Sequence, residues 1–419
     1  MIRRLDFLIP AALSLLAGLD AALILLGLWA PVVTETFPGV HGIAMVFGFV
    51  ATLISLERAV ALARPAGFLA PALIGLGALA VLSPLPLLIG QLCLLAGTVI
   101  FVALYVPLYR RNGDEAILVQ ALGAVLAASA VLMWLGGAEV ATLIPWFAGF
   151  VIFTIAAERL ELARIAIGTV ATRWFLVIIT ATTFAVLASL LWPGIGYPLL
   201  GVTLLGLVSW LVIHDVARKT VRSTGQTRFM GACLLAGYVW LAVAGLAWTI
   251  GGHAVDGGVY DAVVHSVFLG FTVSMIIAHS TVILPAVLRI QLPYNRGFYI
   301  PIVLLHLSLI LRIGLGDGLD LHWAWQVGGV LNILALLGFA ILAAASALIG
   351  TRARSGRAER RPLTLDLCAD ATDATDGADA TDATGGADAT DGADATGGAD
   401  ATGGAAATAA TGIGPDTPA

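Results

Sequence analysis

The sequence predicts an all-α, polytopic membrane protein with twelve transmembrane helices in three pseudo-repeated four-helix units. The first observation is composition: of 419 residues, 59% are hydrophobic and only 11% are charged, and the mean hydropathy is +0.99. The second is that apolar runs of about 18 or more residues recur, each long enough to cross hydrocarbon at about 1.5 Å per residue. The third is a short motif that returns at intervals of four runs.

The predicted helices follow directly from the apolar runs. The first run begins with the basic stretch "MIRRL", but it is too long for a signal peptide, so we interpret it as a spanning helix. The twelve runs are 7–30, 41–63, 66–84, 87–109, 116–136, 141–162, 172–192, 195–216, 228–250, 260–288, 298–315 and 323–349.

The positions of Lys and Arg predict the orientation. With a cytoplasmic N-terminus, all of the 21 Lys and Arg residues except Arg312 fall at cytoplasmic ends or loops, as the positive-inside rule requires. We therefore expect a multi-pass protein of the cell inner (plasma) membrane with both termini in the cytoplasm. Its expected partner is the lipid bilayer, and nothing in the charge pattern favours nucleic acid.

Composition divides the chain into two parts. Residues 1–350 form the predicted twelve-helix transmembrane domain. Residues 351–419 begin with the basic flank "TRARSGRAERR" and continue as an Ala/Asp/Thr/Gly-rich repeat. This tail lacks the apolar side chains that would offset its ordering entropy, so we expect a disordered cytoplasmic tail. The three cysteines are scattered without a CxxC pair, which indicates neither a disulfide framework nor a zinc site.

The recurring motif begins with Gly-Phe. It reads "GFVATLISLER" at 48–58, "GFVIFTIAAER" at 149–159 and "GFTVSMIIAHS" at 270–280, on the second, sixth and tenth helices. Nine residues after its glycine, each copy carries an ionisable residue: Glu57, Glu158 or His279. The glycines Gly48 and Gly270 predict close approach of a neighbouring helix or a flat ligand, because glycine has no side chain.

Two of the motif helices also carry a histidine before the glycine. His41 precedes Gly48 by seven residues, and His265 precedes Gly270 by five. If the repeats superpose, the two histidines differ in depth by only two residues, about 3 Å. Such positions near the outer face of neighbouring helices would suit two neutral imidazoles that ligate one low-spin haem iron. The alternative is that both histidines are interfacial residues exposed to water.

This arrangement resembles subunit I of haem-copper oxidases, which carries low-spin haem ligands on its second and tenth helices. Within that relationship, "HGIAMVFGF" is similar to the "HAHEMxFGF" signature of NnrS-type haem membrane proteins. His41, Met45, Phe47 and Gly48 match the signature, whereas Ile43 and Ala44 replace its second His and its Glu. "HSVFLGFTVSMIIAHSTVILPAVL" is similar to the later histidine helix of such proteins.

The resemblance implies a haem-b-binding protein with His41 and His265 as metal ligands and Met45, Gly48 and Gly270 around the cofactor. It implies a role in electron handling or in the nitric-oxide or respiratory stress response, with a respiratory or denitrification enzyme as partner. The chain departs from the oxidases because its sixth and seventh helices lack histidine. We therefore expect no copper site and no oxygen-reducing centre, and whether the protein is an enzyme stays open.

The remaining ionisable residues leave further possibilities. His279 lies 14 residues after His265, a spacing that could serve a second haem or metal, with His306, Glu57 and Glu158 as further candidates. His279 could instead hydrogen-bond to Glu57 or Glu158 in a polar cluster. Each glutamate precedes an arginine, which also allows simple interfacial ion pairs. A proton- or cation-coupled secondary transporter that uses Glu57, Glu158 and His279 is therefore the alternative function.

Arg312 breaks the positive-inside pattern. It lies on the helix after His265 and on the same side of the membrane, so it could pair with the two propionates of a haem. It could also extend its guanidinium to the outer interface. If it pairs with the propionates, replacing Arg312 by Leu should cause only a modest loss of haem, because axial ligation would remain, whereas equal haem content would remove Arg312 from the site. A structural membrane subunit with chemically inert histidines is the third possibility.

Overall fold

The computed structural model describes residues 4–34, 36–163 and 168–359, and no strand occurs within these ranges. The helices belong to one compact unit, Met1–Arg361, and a second unit, Pro362–Ala419, lies outside the described residues, as does most of the predicted tail. The helices are α1 Arg4–Leu25, α2 Phe37–Leu62, α3 Pro65–Val81, α4 Leu87–Asn112, α5 Glu115–Leu135, α6 Val140–Leu162, α7 Thr169–Leu191, α8 Pro193–His214, α9 Gly225–Gly251, α10 Gly257–Leu288, α11 Arg296–Asp317 and α12 His322–Glu359.

Eleven helices of the described chain are long and apolar enough to cross a membrane. The third predicted run forms a shorter helix, α3, which ends at Val81 just before the sequence "LSPLP". Proline lacks a backbone N–H and disfavours helix in the residue before it, so this sequence stops the helix early. The chain is thus an all-helical, multi-pass membrane protein in a lipid environment. The count of twelve crossings and the four-helix repeat stay predictions.

The last helix extends further than the sequence indicates. The apolar run ends at residue 349, and the predicted domain boundary lies at residue 350. α12 nevertheless continues through the start of the basic flank to Glu359. Arg and Ala are good helix formers, so the flank can prolong a helix that apolar packing has already begun.

The helices that carry the motif lie at the centre of the bundle. α2, α6 and α10 contact one another. In their apolar stretches, 83% of the α6 residues and 72% of the α10 residues are buried, against 22–56% in the other spanning helices. Ionisable groups on these helices therefore face protein or cavities rather than lipid, which lowers the cost of placing them in a membrane.

The backbones of α2 and α10 share a local distortion. Each contains a π-helical stretch, Ala44–Ala51 in α2 and Ser266–Val273 in α10. Both stretches begin four residues before the motif glycine, whereas α6 is α-helical over Ile144–Ala163. π-Turns occur frequently at functional sites. The two helices that carry His41 and His265 thus share a feature that apolar periodicity does not reveal.

The motif glycines serve helix packing. A methyl group on Gly48 would overlap the Ser14 side chain of α1. One on Gly270 would overlap the Trp240 ring of α9. The sequence predicted either a close neighbouring helix or a flat ligand at these glycines. The structure shows the close neighbouring helix at both Gly48 and Gly270.

We expect Gly270→Ala to destabilise the protein by about 1–3 kcal/mol, because the added methyl group forces the Trp240 ring out of a packed position. Trp240 cannot move freely, since its Nε1–H donates to Nδ1 of His306 at 2.9 Å. Thermal unfolding in detergent measures the change. The matched control is Gly206→Ala in α8, where an added Cβ meets no atom within 4 Å. Equal thermal midpoints for both variants would contradict the packing role.

Candidate functional site

Four predicted site residues line one cavity of about 350 Å³, here called the histidine cavity. His41 and Met45 reach it from α2, His265 from α10 and Arg312 from α11. Phe49, Phe147, Phe268 and Leu269 are among its apolar lining residues. Its volume falls in the range of small-molecule sites, about 300–1,000 Å³. The expectation that His41 and His265 share one gap between the second and tenth helices therefore agrees with the fold.

His41 lies in the first turns of α2, which begins at Phe37 with Pro38 in its first turn. The ring atom Nδ1 lies 2.9 Å from the carbonyl oxygen of Gly18 in α1. A carbonyl only accepts hydrogen bonds, so Nδ1 carries the proton and donates it. This assignment leaves the lone pair of the neutral ring on Nε2.

His265 has the same tautomer for a similar reason. Its Nδ1 lies 3.0 Å from the carbonyl oxygen of Asp261, one turn earlier in α10, and 3.2 Å from the Asp261 carboxylate atom Oδ1. Both partners accept, so Nδ1–H donates and Nε2 keeps the lone pair. Metal-binding histidines characteristically donate their other ring N–H to a carbonyl or carboxylate in this way.

Arg312 has a partner inside the protein. Its Nε and Nη2 donate to Asp261 Oδ2 and Oδ1 at 2.8 and 2.7 Å, a bidentate pair between α11 and α10. The guanidinium carbon lies 5.0 Å from the centroid of the Trp325 ring, which adds a cation–π contact. The side chain is buried, so the expectation that it extends to the outer interface is wrong. Two of its donor atoms already hold Asp261, which leaves Nη1 for any further anion.

Sequence reasoning missed Asp261. The available signal was its position four residues before His265, which places both side chains on one face of a helix. The structure makes Asp261 the link between the imidazole and Arg312. A carboxylate with a cation on one side can hold the histidine ring in a fixed orientation.

Gly48 and Gly270 are not among the residues that line the histidine cavity. Their predicted place around a cofactor is therefore corrected: both lie at helix–helix contacts, as described above. Met45 does line the cavity and also packs against Gly18, where an added methyl group would overlap its side chain. Because Gly18 and Gly48 have no side chains, α1 can approach α2 closely enough for the Gly18 carbonyl to reach the His41 ring.

A second, smaller cavity of about 100 Å³ lies among α2, α6 and α10, and we call it the glutamate cavity. Glu57, Glu158 and His279 all line it, together with Arg159. These three ionisable residues are the ones that follow the motif glycines by nine positions. The motif thus brings its ionisable residues together in space.

Arg58 connects the two glutamates. Its Nη2 donates to Glu57 Oε1 at 2.6 Å and to Glu158 Oε1 at 3.2 Å. Its Nη1 donates to Gln120 Oε1 of α5 at 3.1 Å. The expected ion pair between a glutamate and the arginine that follows it therefore exists at Glu57. Glu158 also pairs with Arg58, so one arginine serves both carboxylates.

The structure gives His279 and His306, two candidates for a second site, separate surroundings. His279 Nδ1 donates to the Met275 carbonyl at 2.9 Å rather than to a glutamate, and its Nε2 is buried without a hydrogen-bond partner. His306 Nδ1 accepts from Trp240, so its Nε2 carries the proton and cannot ligate a metal in this tautomer. His306 does not line the glutamate cavity.

Within the described part of the chain, no group of three or more His, Cys, Asp or Glu residues is placed to hold a metal ion. This finding bears on sites built from protein ligands alone. A haem iron with two axial histidines does not need such a group, because the porphyrin supplies its other four ligands.

Comparisons with known proteins place the chain in a family. No curated protein and no solved structure matches it. Residues 4–348 match the family described as "Domain of unknown function (DUF8744)". The matched stretch contains every residue of both cavities named above. Since it covers well over half of the 419 residues, the chain belongs to this DUF8744 family.

Proposed function

We propose that the protein binds haem b in the histidine cavity, with His41 and His265 as the two axial ligands. One observation carries the proposal: both imidazoles line the same cavity, and both donate Nδ1–H to fixed acceptors. Each therefore keeps its Nε2 lone pair, which is the form in which histidine binds iron. Two such rings in one cavity provide the ligand set of a six-coordinate haem.

The surroundings of the two histidines fit a flat apolar ligand. Phe49 and Phe268 line the cavity together with Met45, whose polarizable side chain packs well against aromatic groups. The polar residues Tyr260, Asp261 and Arg312 also line the cavity. A mostly apolar cleft with a few convergent polar groups is typical of cofactor sites.

The chain gives the two ligands unequal surroundings. His41 donates to a neutral carbonyl, whereas His265 lies beside the Asp261 carboxylate, which makes its ring a stronger donor. Arg312 offsets part of the Asp261 charge. A bound haem with two histidine ligands supplies one-electron transfer, and these contacts orient the ligands and set their donor strength.

Electron handling is the role that this ligand set favours. Both axial positions would be filled by protein, so nitric oxide or another diatomic ligand could reach the iron only if one histidine left. A part in the nitric-oxide or respiratory stress response, beside a respiratory or denitrification enzyme in the cell inner membrane, is the cellular setting that we propose. In that setting both termini are cytoplasmic.

The visible absorption spectrum of the detergent-purified protein tests the proposal. Cells should be grown with ample haem precursor, and spectra should be taken before and after reduction. We expect a Soret band and sharp reduced α and β bands. A colourless, folded preparation would reject haem binding.

A further inference from the structure

Two residues that line the glutamate cavity each carry an unsatisfied polar atom, and the two atoms are of opposite kind. Nε2 of His279 is a hydrogen-bond acceptor, because Nδ1 holds the proton, and no donor reaches it. Nε of Arg159 is a donor, and no acceptor reaches it. Both atoms are buried, both side chains line the cavity, and Arg159 is only 5% exposed. Leaving such a group unsatisfied in a buried place destabilises the fold, so an occupant that completes the hydrogen bonds is favoured.

The two atoms together specify the kind of occupant. A cation would satisfy the His279 lone pair but would face the Arg159 guanidinium. An anion would satisfy Arg159 but would face the lone pair and two glutamates. Water both donates and accepts, so it satisfies both atoms. The cavity of about 100 Å³ has room for roughly three waters at about 30 Å³ each.

The glutamates add a place for a proton. Glu57 and Glu158 bind the same nitrogen of Arg58, so two carboxylates share one cation. Two close carboxylates can hold a single proton between them. Their side chains are 23% and 20% exposed, so neighbouring protein does not seal either carboxylate completely.

The other groups around the pair neutralise only part of its charge. Arg159 adds a second positive charge from α6. Beyond Arg58, α4 contributes Tyr105, whose hydroxyl is buried without a partner, and α5 contributes Gln120. α10 contributes His279, which is neutral in the tautomer described. Glu161, exposed one turn after Glu158 in α6, adds a further negative charge. Arg58 and Arg159 therefore face three carboxylates, and the cluster becomes neutral when it takes up one proton.

We propose that the glutamate cavity is a hydrated proton-binding site. Its waters link His279 to the Glu57–Glu158 pair. A proton that enters from bulk solvent as H3O⁺ passes to a glutamate carboxylate and leaves a neutral water behind, and the reverse step returns it, with no change of oxidation state. Val50 lines both cavities, but no ionisable residue is shared between them, so the site stands whether or not haem is bound.

Hydration is tested by thiol hydrogen exchange. Ser280→Cys places an S–H in the cavity, whereas Ser274→Cys places one in the same helix away from it. The two serines are a matched pair, since each is buried and donates to a carbonyl of its own helix. Both variants are made with Cys93, Cys233 and Cys368 replaced by Ala. After transfer to D₂O, the infrared S–H band at position 280 should vanish at least roughly tenfold faster than that at position 274.

Proton binding is tested by infrared pH titration of the protein with its native cysteines. We expect a carboxylic acid band that grows as pH falls, shifts in D₂O, and is lost in Glu158→Gln or Glu57→Gln. The control Glu115→Gln, at the exposed start of α5, should keep it. Replacing Na⁺ by choline should leave the band unchanged.

Three outcomes would overturn the proposal. Equal S–H exchange at positions 280 and 274 would show a dry cavity. A band that survives both glutamine variants would place the proton elsewhere. A band that depends on Na⁺ would make the site a cation site.

Discussion

His41→Ala and His265→Ala should each abolish the six-coordinate haem spectrum, whereas His279→Ala should leave it intact. Each of the first two variants removes one axial nitrogen from the histidine cavity, and no other histidine lines that cavity. His279 lies at the glutamate cavity instead. Reduced-minus-oxidised visible spectra and the haem content per chain measure the effect.

The control separates ligation from folding. His279→Ala should retain haem at about one per chain, and circular dichroism should show that all three variants keep their helices. A six-coordinate spectrum that survives in either His41→Ala or His265→Ala would remove that residue from the iron. Loss in all three variants to the same degree would indicate damage to the bundle rather than to a ligand.

Arg312→Leu should destabilise the protein by about 3–5 kcal/mol, because it leaves the Asp261 carboxylate buried without its cationic partner. Arg312 is only 7% exposed and makes two hydrogen bonds to Asp261. The sequence predicted only a modest loss of haem for this variant, because axial ligation would remain; the loss of stability follows from the ion pair with Asp261. Thermal unfolding in detergent, followed by circular dichroism, measures the loss.

A second substitution distinguishes the buried ion pair from simple loss of packing. Arg312→Leu combined with Asp261→Asn removes the uncompensated charge and should recover part of the stability. Arg218→Leu is the control, because Arg218 is exposed and donates only to a backbone carbonyl, so its replacement should cost little. If the single Arg312 variant unfolds at the wild-type temperature, the ion pair does not stabilise the bundle.

Spacing along the sequence predicted which residues meet. His41 and His265 lie near the starts of two helices, and the fold brings both to one cavity. Glu57, Glu158 and His279 each follow their motif glycine by nine residues, and all three line the glutamate cavity. Position along a helix fixes depth at about 1.5 Å per residue, so equal offsets on adjacent helices bring side chains to one level.

What the sequence could not supply was the identity of each side chain's partner. The Gly18 carbonyl holds His41 because α1 approaches α2 at a glycine. Asp261 forms an ion pair with Arg312, and Trp240 donates a hydrogen bond to His306. Such contacts depend on helix rotation and on the π-helical turns, which shift side-chain directions and leave no mark in the apolar pattern.

The central claim is that His41 and His265 ligate one iron, and a density map of the haem-replete protein in detergent or lipid tests it most directly. The map should show flat density in the histidine cavity with a metal about 2.0 Å from Nε2 of each ring, a distance typical of metal–imidazole bonds. Lipid or water in that cavity, with the two rings apart and no metal between them, would contradict the claim.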